Sequence, residues 1–212
     1  MKVKKFPQSC ILIETNGTKI LVDPSSVKYD EKFIKDWKTA DAILITHRHS
    51  DHINASVVKE LQLPIYSTQE VASFNPTLKI KPIKENDIFK IGETTITVVK
   101  AIHGFISTDG EIKENVGFII DDGKTKLYIT SDTIRFKNDY KADAVFADVT
   151  AFDASMNLWG AMQTTIDAGA KLLIVAHQEA GKMTYEKNEI EKYLANAPID
   201  FIIPEIGQVF EI

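Results

Sequence analysis

Three of the chain's five histidines fall within six residues, in the segment "AILITHRHSDHIN" at positions 42 to 54. His47, His49 and His52, with Asp51 beside the last, follow directly on the apolar run Ile43-Leu44-Ile45. Imidazole nitrogens and carboxylate oxygens suit Zn, Fe or Mn, and the absence of thiolate ligands argues against a purely structural zinc knot. A helix presents metal ligands at i and i+4. Here His47 and His49 are spaced i and i+2, so the segment is extended or looped and both rings can face one ion. Asp51 and His52 are adjacent and must diverge, which makes a second ion nearby the economical reading.

The other groups of this kind are scattered along the chain but share one position. His103 follows "TITVVKAI", Asp132 follows "KLYITS" and His177 follows "KLLIVA". Each stands at the C-terminal end of an expected strand, where side chains from separate strands can converge on one rim. His47, His49 and His103 then form one set, and Asp51, His52 and His177 the other. Asp132, with two carboxylate oxygens, can bridge them. Asp148, after "DAVFA", is another strand-end carboxylate able to approach the site; with Glu179 it is a candidate proton donor, weighed against a solvated turn carboxylate. Arg48, between two of the ligands, is a candidate contact for an anionic substrate. Phe105, Phe152 and Trp159 are candidate pocket walls, weighed against the commoner core role of aromatic residues.

The elements that must position these residues are legible in outline. "CILIET", "NG" and "TKILVD" read as a hairpin about an Asn-Gly turn, ended by Pro24. A helix is expected over "YDEKFIKDW" with Asp30 as cap, another over "NASVVKELQL" capped by Asn54, and a short one over residues 68–75. "DAILIT" reads as a strand buried on both faces. "PIYST", "TTITVVKAIH", "NVGFIIDDG", "KLYITSD", "DAVFADV" and "KLLIVAH" are further strands, with "DFIIP" and "QVFEI" closing the chain. "NLWGAMQTTIDAGA" is a helix ending at Gly169, and "TYEKNEIEKYLANA" a helix capped by Thr184. Meanders first and strand-helix alternation later predict an α/β layered sandwich in one domain over residues 1–212.

With its distant partners in this order, "THRHSDH" resembles the H-x-H-x-D-H signature of the metallo-β-lactamase superfamily. "SCILIETNGTKILVDP" is similar to the opening hairpin of its compact metal-dependent hydrolases, the branch related to bacterial ascorbate-lactone hydrolases and phospholipase-D-like members. The resemblance implies a four-layer αββα sandwich with a binuclear site at the edge between two sheets. It implies the same two ligand sets, with Asp132 bridging, and it implies that Asp23, at the end of "KILVD", supports the metal-binding loop from behind the ligands.

The function expected on these grounds is metal-dependent hydrolysis of a small phosphodiester or lactone-type ester. Two divalent ions, zinc first with manganese or iron as alternatives, would share a water and bring its pKa towards neutrality, with Asp51 orienting the nucleophile. Two other classes stay in view: a mononuclear iron oxidoreductase on the same fold, and a non-catalytic scaffold. A net charge of −5 and only two arginines, Arg48 and Arg135, argue against nucleic acid as a partner and leave a small-molecule substrate. The single cysteine, Cys10, precludes an internal disulfide. "MKVKKF" lacks the apolar stretch of a signal peptide, and no window approaches the ~20 apolar residues that cross a bilayer, so the expected setting is cytoplasmic. The family contains monomers and larger assemblies, which leaves a homo-oligomer open.

Overall fold

Asn16 and Gly17 both adopt positive φ, 50° and 72°, the backbone that a two-residue hairpin turn of matching twist requires. The turn joins β2 (Ile11–Thr15) to β3 (Thr18–Val22), with Thr15 opposite Thr18. The computed structural model describes residues 1–105, 111–152, 154–178 and 184–212, so Glu179 lies outside the described residues. β1 (Lys2–Lys5) precedes the hairpin, and β4 (Ala42–Leu44), β5 (Ile65–Ser67) and β6 (Ile80–Pro82) follow it. β7 (Ile88–Ile91), β8 (Thr94–Lys100), β9 (Val116–Asp121), β10 (Lys126–Ile129), β11 (Ala144–Asp148), β12 (Leu172–Ala176) and β13 (Asp200–Ile202) form the second sheet. β14 (Val209–Glu211) returns to pair antiparallel with β1 in the first.

The two sheets repeat one topology. β1-β2-β3 is an antiparallel meander continued by parallel β4, β5 and β6; β8-β9-β10 is a second meander continued by parallel β11, β12 and β13. β3, β4, β8, β10, β11 and β12 therefore send their C-terminal ends to a common edge. In sheets of this kind that edge is where loops gather ligands.

The inner faces meet in one apolar layer, with Ile13, Ile20 and Leu44 from the first sheet and Phe118, Ile129 and Phe146 from the second, all fully buried. Helices cover the outer faces. A 3₁₀ turn at Glu31–Phe33 runs into α1 (Ile34–Trp37), which packs with α2 (Ala55–Leu61) and α3 (Gln69–Phe74) on the first sheet. α4 (Leu158–Asp167) and α5 (Lys187–Leu194) cover the second. The result is the αββα sandwich expected.

Local chemistry sets most of the helix starts. Asp30 accepts from Lys32 N, Asn54 from Val57 N and Asn157 from Gly160 N. The cap of α5 is a correction: Glu186, not Thr184, holds it, in a reciprocal capping box with Glu189. Among the described residues no helix is long and apolar enough to cross a membrane.

Candidate metal centre

The loop after β4 carries Thr46 and the histidine cluster into the common edge. Asp23, in the loop after β3, is completely buried and takes three hydrogen bonds. Its Oδ1 accepts from Thr46 N at 2.8 Å, and its Oδ2 from the Thr46 hydroxyl and from His52 Nδ1, each at 2.8 Å. The Thr46 hydroxyl proton is thereby committed to Asp23. Its oxygen is left to accept from His47 Nδ1–H at 3.0 Å. His103 Nδ1–H donates to its neighbour's carbonyl, Gly104 O, at 2.6 Å. These bonds fix the ring orientations: His47, His52 and His103 each carry a proton on Nδ1 and turn Nε2 inward, bare in His47 and His103. In the metal-free protein burial of His52 is outweighed by Asp23 and Asp132, which together raise its pKa well above the usual imidazole value.

The inward atoms gather in two groups. His47, His49 and His103 offer ring nitrogens, and Asp51, His52, Asp132 and His177 offer ring nitrogens and carboxylate oxygens; within each group the ligand atoms lie within 4.8 Å of one another. His47 Nε2 is 3.2 Å from His49 Nδ1, so two ring nitrogens in the first group face one point. Asp132 Oδ2 sits 3.5 Å from His52 Nε2, 3.7 Å from His103 Nε2 and 3.8 Å from His177 Nε2, reaching both groups. His177 Nε2 is 3.0 Å from Asp51 Oδ2.

The donor set fits metal ions by a test internal to the site. His52 Nε2, His103 Nε2 and Asp132 Oδ1 are buried with no hydrogen-bond partner among the described residues. Polar atoms left so in a core cost about 1–3 kcal/mol each, and their convergence is explained by a ligand they share. Burial pushes the His47 pKa well below the usual imidazole value, and His52 nearby adds to this. Burial likewise lowers His49. For His177 burial works downward, but the Asp132 carboxylate and the hydrogen bond that His177 donates to Asp51 outweigh it and lift the pKa to about 9. Burial works against the ionised Asp132 too, yet His177 and His52 hold it well below the carboxylate range.

Backbone strain accumulates at the same edge. Asp23, Ser131 and His177 all have positive φ, at 45°, 62° and 65°, which costs a non-glycine residue of order 1–3 kcal/mol. Asp23 and His177 directly follow a strand and Ser131 stands two residues beyond one, and each turns a side chain or its neighbour into the site. Gln8, at φ 58°, accepts from His177 N through its carbonyl at 3.4 Å and so backs that turn.

Asp148 stands at the end of β11, level with Ala176, and is completely buried. Neither of its carboxylate oxygens has a hydrogen-bond partner of normal geometry, although the Ser9 hydroxyl approaches. Burial, then repulsion by Asp132, raises its pKa to about 7. It is closed off from solvent, within electrostatic reach of Asp132, His52 and His177.

Other expectations change. The Arg48 guanidinium is tied to Glu70 Oε1 at 3.3 Å and to Glu111 O at 3.2 Å, and stacks over Phe74 at 4.7 Å, so its charge is engaged along the rim. Phe105, Phe152 and Trp159 are 77%, 54% and 50% exposed, which removes the core alternative, and they stand in cavity walls, Phe152 and Trp159 in one and Phe105 in another. Sequence patterns gave no sign of Thr46, Asn115 or Ser131 as ring supports. Asn115 Oδ1 accepts from Ser131 Oγ at 2.7 Å, and its amide donates to Asp132 O at 2.8 Å.

Two facing mixed sheets with histidine and aspartate donors at a shared edge are the layout of the metallo-β-lactamase fold. A family model described as the beta-lactamase superfamily domain matches residues 2–177, and the chain belongs to that superfamily, in its compact metallo-β-lactamase branch. A relative from Flavobacterium johnsoniae, named UPF0173 metal-dependent hydrolase, is 29% identical over 140 residues, covering 63% of this chain and 62% of the relative. One of the same name from Carboxydothermus hydrogenoformans is 27% identical over 141 residues, again 63% and 62%. The match thus spans less than two thirds of these relatives. Igni18, a metallo hydrolase from Ignicoccus hospitalis, superposes with a TM-score of 0.82 at 21% identity, covering 100% of this chain and 98% of that one, which shows the shared fold.

Proposed function

We propose that this chain, read as one domain over residues 1–212, is a hydrolase that works with two divalent ions and cleaves a small phosphodiester or lactone-type ester. Zinc is the first choice of ion, then manganese or iron. The observation that carries this is the pair of donor groups, each within 4.8 Å, with Asp132 Oδ2 reaching ring nitrogens of both. His47, His49 and His103 would hold one ion, Asp51, His52 and His177 the other, and Asp132 would bridge them. Seven donors exceed what a one-ion iron oxidoreductase needs.

Bound ions of this type polarise a carbonyl or phosphoryl oxygen and bring a water's pKa towards neutrality. The chain supplies the rest. Asp51 is the carboxylate nearest the open side, its side chain 24% exposed against 4% for Asp132, so it is the one placed to orient the attacking water and take its proton. Asp23 fixes the His52 tautomer and, through Thr46, that of His47. Asp148, closed off from solvent, supports the site electrostatically and is badly placed to protonate a leaving group. The relatives' names, UPF0173 metal-dependent hydrolase, agree with a metal-dependent activity. A small-molecule substrate and a cytoplasmic setting complete the reading.

Metal content per chain, measured after metal-free purification and reloading, tests it. Two equivalents of zinc or manganese are expected in the wild type, falling in both Asp132→Ala and His177→Ala. One equivalent of iron, unchanged in His177→Ala, would overturn the hydrolase in favour of an oxidoreductase.

A further inference from the structure

The strand ends that deliver His103 and Asp132 to the edge do not stop there. Two residues beyond each stands an exposed apolar side chain, Phe105 at 77% and Ile134 at 38%. Hydrogen bonds tie these loops together: Ile134 N donates to Ile102 O at 2.8 Å, and Gly104 N to Ala154 O at 2.9 Å. The second bond draws in the segment after β11, which carries Phe152. Ile134, Phe152, Met156, Trp159 and Tyr185 line a cavity of about 260 Å³, joined to the centre through Ile134, two residues beyond Asp132.

Several polar groups in and behind the cavity wall are already committed. Ser155 Oγ donates to Thr150 Oγ1 at 3.2 Å, the Thr150 hydroxyl donates to Phe152 O at 2.6 Å, and Asn157 Oδ1 caps α4. Arg135 is paired with Asp167 at 2.6 Å, and its guanidinium lies over the Trp159 ring at 5.2 Å, pinning that ring as a wall. The wall is mixed, and the part these bonds leave open includes the exposed side chains of Ile134, Phe152 and Trp159. The volume is too small for a whole substrate of ordinary size, for which cavities run from about 300 to 1,000 Å³, and suits one ring or a short branched chain.

We infer that Ile134, Phe152, Met156 and Trp159 form a subsite for an apolar, ring-sized substituent of the substrate, beside the centre where the bond is cut. The inference rests on the hydrolase reading above and narrows its substrate class to esters bearing one such group. Apolar side chains kept exposed next to donor loops have a use there that scattered surface residues do not need.

Trp159 also reports on the subsite, because the only other tryptophan, Trp37, is 1% exposed. Benzyl alcohol, a neutral probe with no metal-binding charge, is titrated against the metal-loaded protein while tryptophan emission is followed. A saturable change is expected, with the dissociation constant rising about tenfold in Phe152→Ala, which keeps the reporter. A linear response, or an unchanged constant in Phe152→Ala, overturns the subsite. Both residues are at least half exposed, so truncation leaves the core intact.

The second measurement follows acid release from matched phenyl- and methyl-substituted members of a δ-lactone pair and a phosphodiester pair. The phenyl-to-methyl ratio of kcat/KM is expected to fall about tenfold in Trp159→Ala. A ratio that does not move counts against the subsite. Absence of turnover on both pairs would count against the hydrolase reading, and the fluorescence titration would still decide the subsite.

Discussion

His52 Nδ1 and Asp23 Oδ2 face each other at 2.8 Å, both side chains completely out of contact with solvent. The same carboxylate also takes the hydroxyl and amide protons of Thr46. One buried aspartate thus sets the proton position on two histidine rings, His52 directly and His47 through the threonine hydroxyl.

Asp23→Asn tests that arrangement. Three donors converge on the carboxylate, and an amide nitrogen in place of one oxygen would meet a donor head-on. The expected loss is about 10–100-fold in metal affinity, measured against a competing chelator. The metal-free variant should also lose about 1–3 kcal/mol in denaturant unfolding. Unchanged affinity would show that Asp23 supports the loop without tuning its rings.

His177 predicts opposite pH responses in metal-free and metal-loaded protein. Its folded pKa, about 9, lies above the ordinary 6.5. In metal-free protein the stability from its pairing with Asp132 and Asp51 is therefore fully present below about pH 6.5 and is lost as pH rises through 9. Metal competes with that same proton, so affinity for the second ion should climb across this window. Titration calorimetry in buffers of different ionisation enthalpy should show a proton released at pH 7 that is no longer released at pH 10. Equal release at both values would count against a protonated His177.

The rim was readable because histidine is scarce and each ligand sits at a strand end that its own sequence marks. Its supports were not. Nothing in Thr46, Ser131 or Asn115 announces a ring partner until the fold brings them beside His47 and Asp132. β1 was hidden for a related reason. "KVKK" reads as a solvated charge run, yet Lys5 is 1% exposed, its ammonium donating to Phe6 O and Gln8 O. β6 and β7 are edge strands with lysines in them, too short and polar to show alternation. The α5 cap moved because a glutamate at the start met a second glutamate three residues on, a reciprocal pair that competes with threonine.

Glu70 latches the rim segment beside His103. Its Oε2 accepts from Lys113 N at 3.1 Å and Glu114 N at 2.9 Å, while Glu114 Oε2 accepts from Glu70 N at 2.6 Å. Arg48, between two histidines of the centre, holds the other carboxylate oxygen. Glu70→Ala should speed hydrogen exchange at the Lys113 and Glu114 amides by about tenfold, the equivalent of one hydrogen bond of ~1.4 kcal/mol. Exchange at β9 amides should hardly change. Equal protection in the variant would mean that other contacts hold the segment.

Asp148 makes the most exacting case, because what the metal-free protein pays there has a definite pH signature. Burial and the Asp132 charge raise its pKa to about 7, above the 3.8 of an unfolded aspartate. The folded state therefore binds more protons than the unfolded one between those values, and stability falls as pH rises across them, reaching the full penalty above 7. Asp148→Asn removes the charge while keeping the shape. In metal-free protein it should raise the melting temperature at pH 8, by about 2–4 °C for each kcal/mol recovered, and leave it unchanged at pH 4. A loss at pH 8 would show that the ionised carboxylate is stabilising, through a partner such as Ser9 or His177, and would reverse the sign assigned to it.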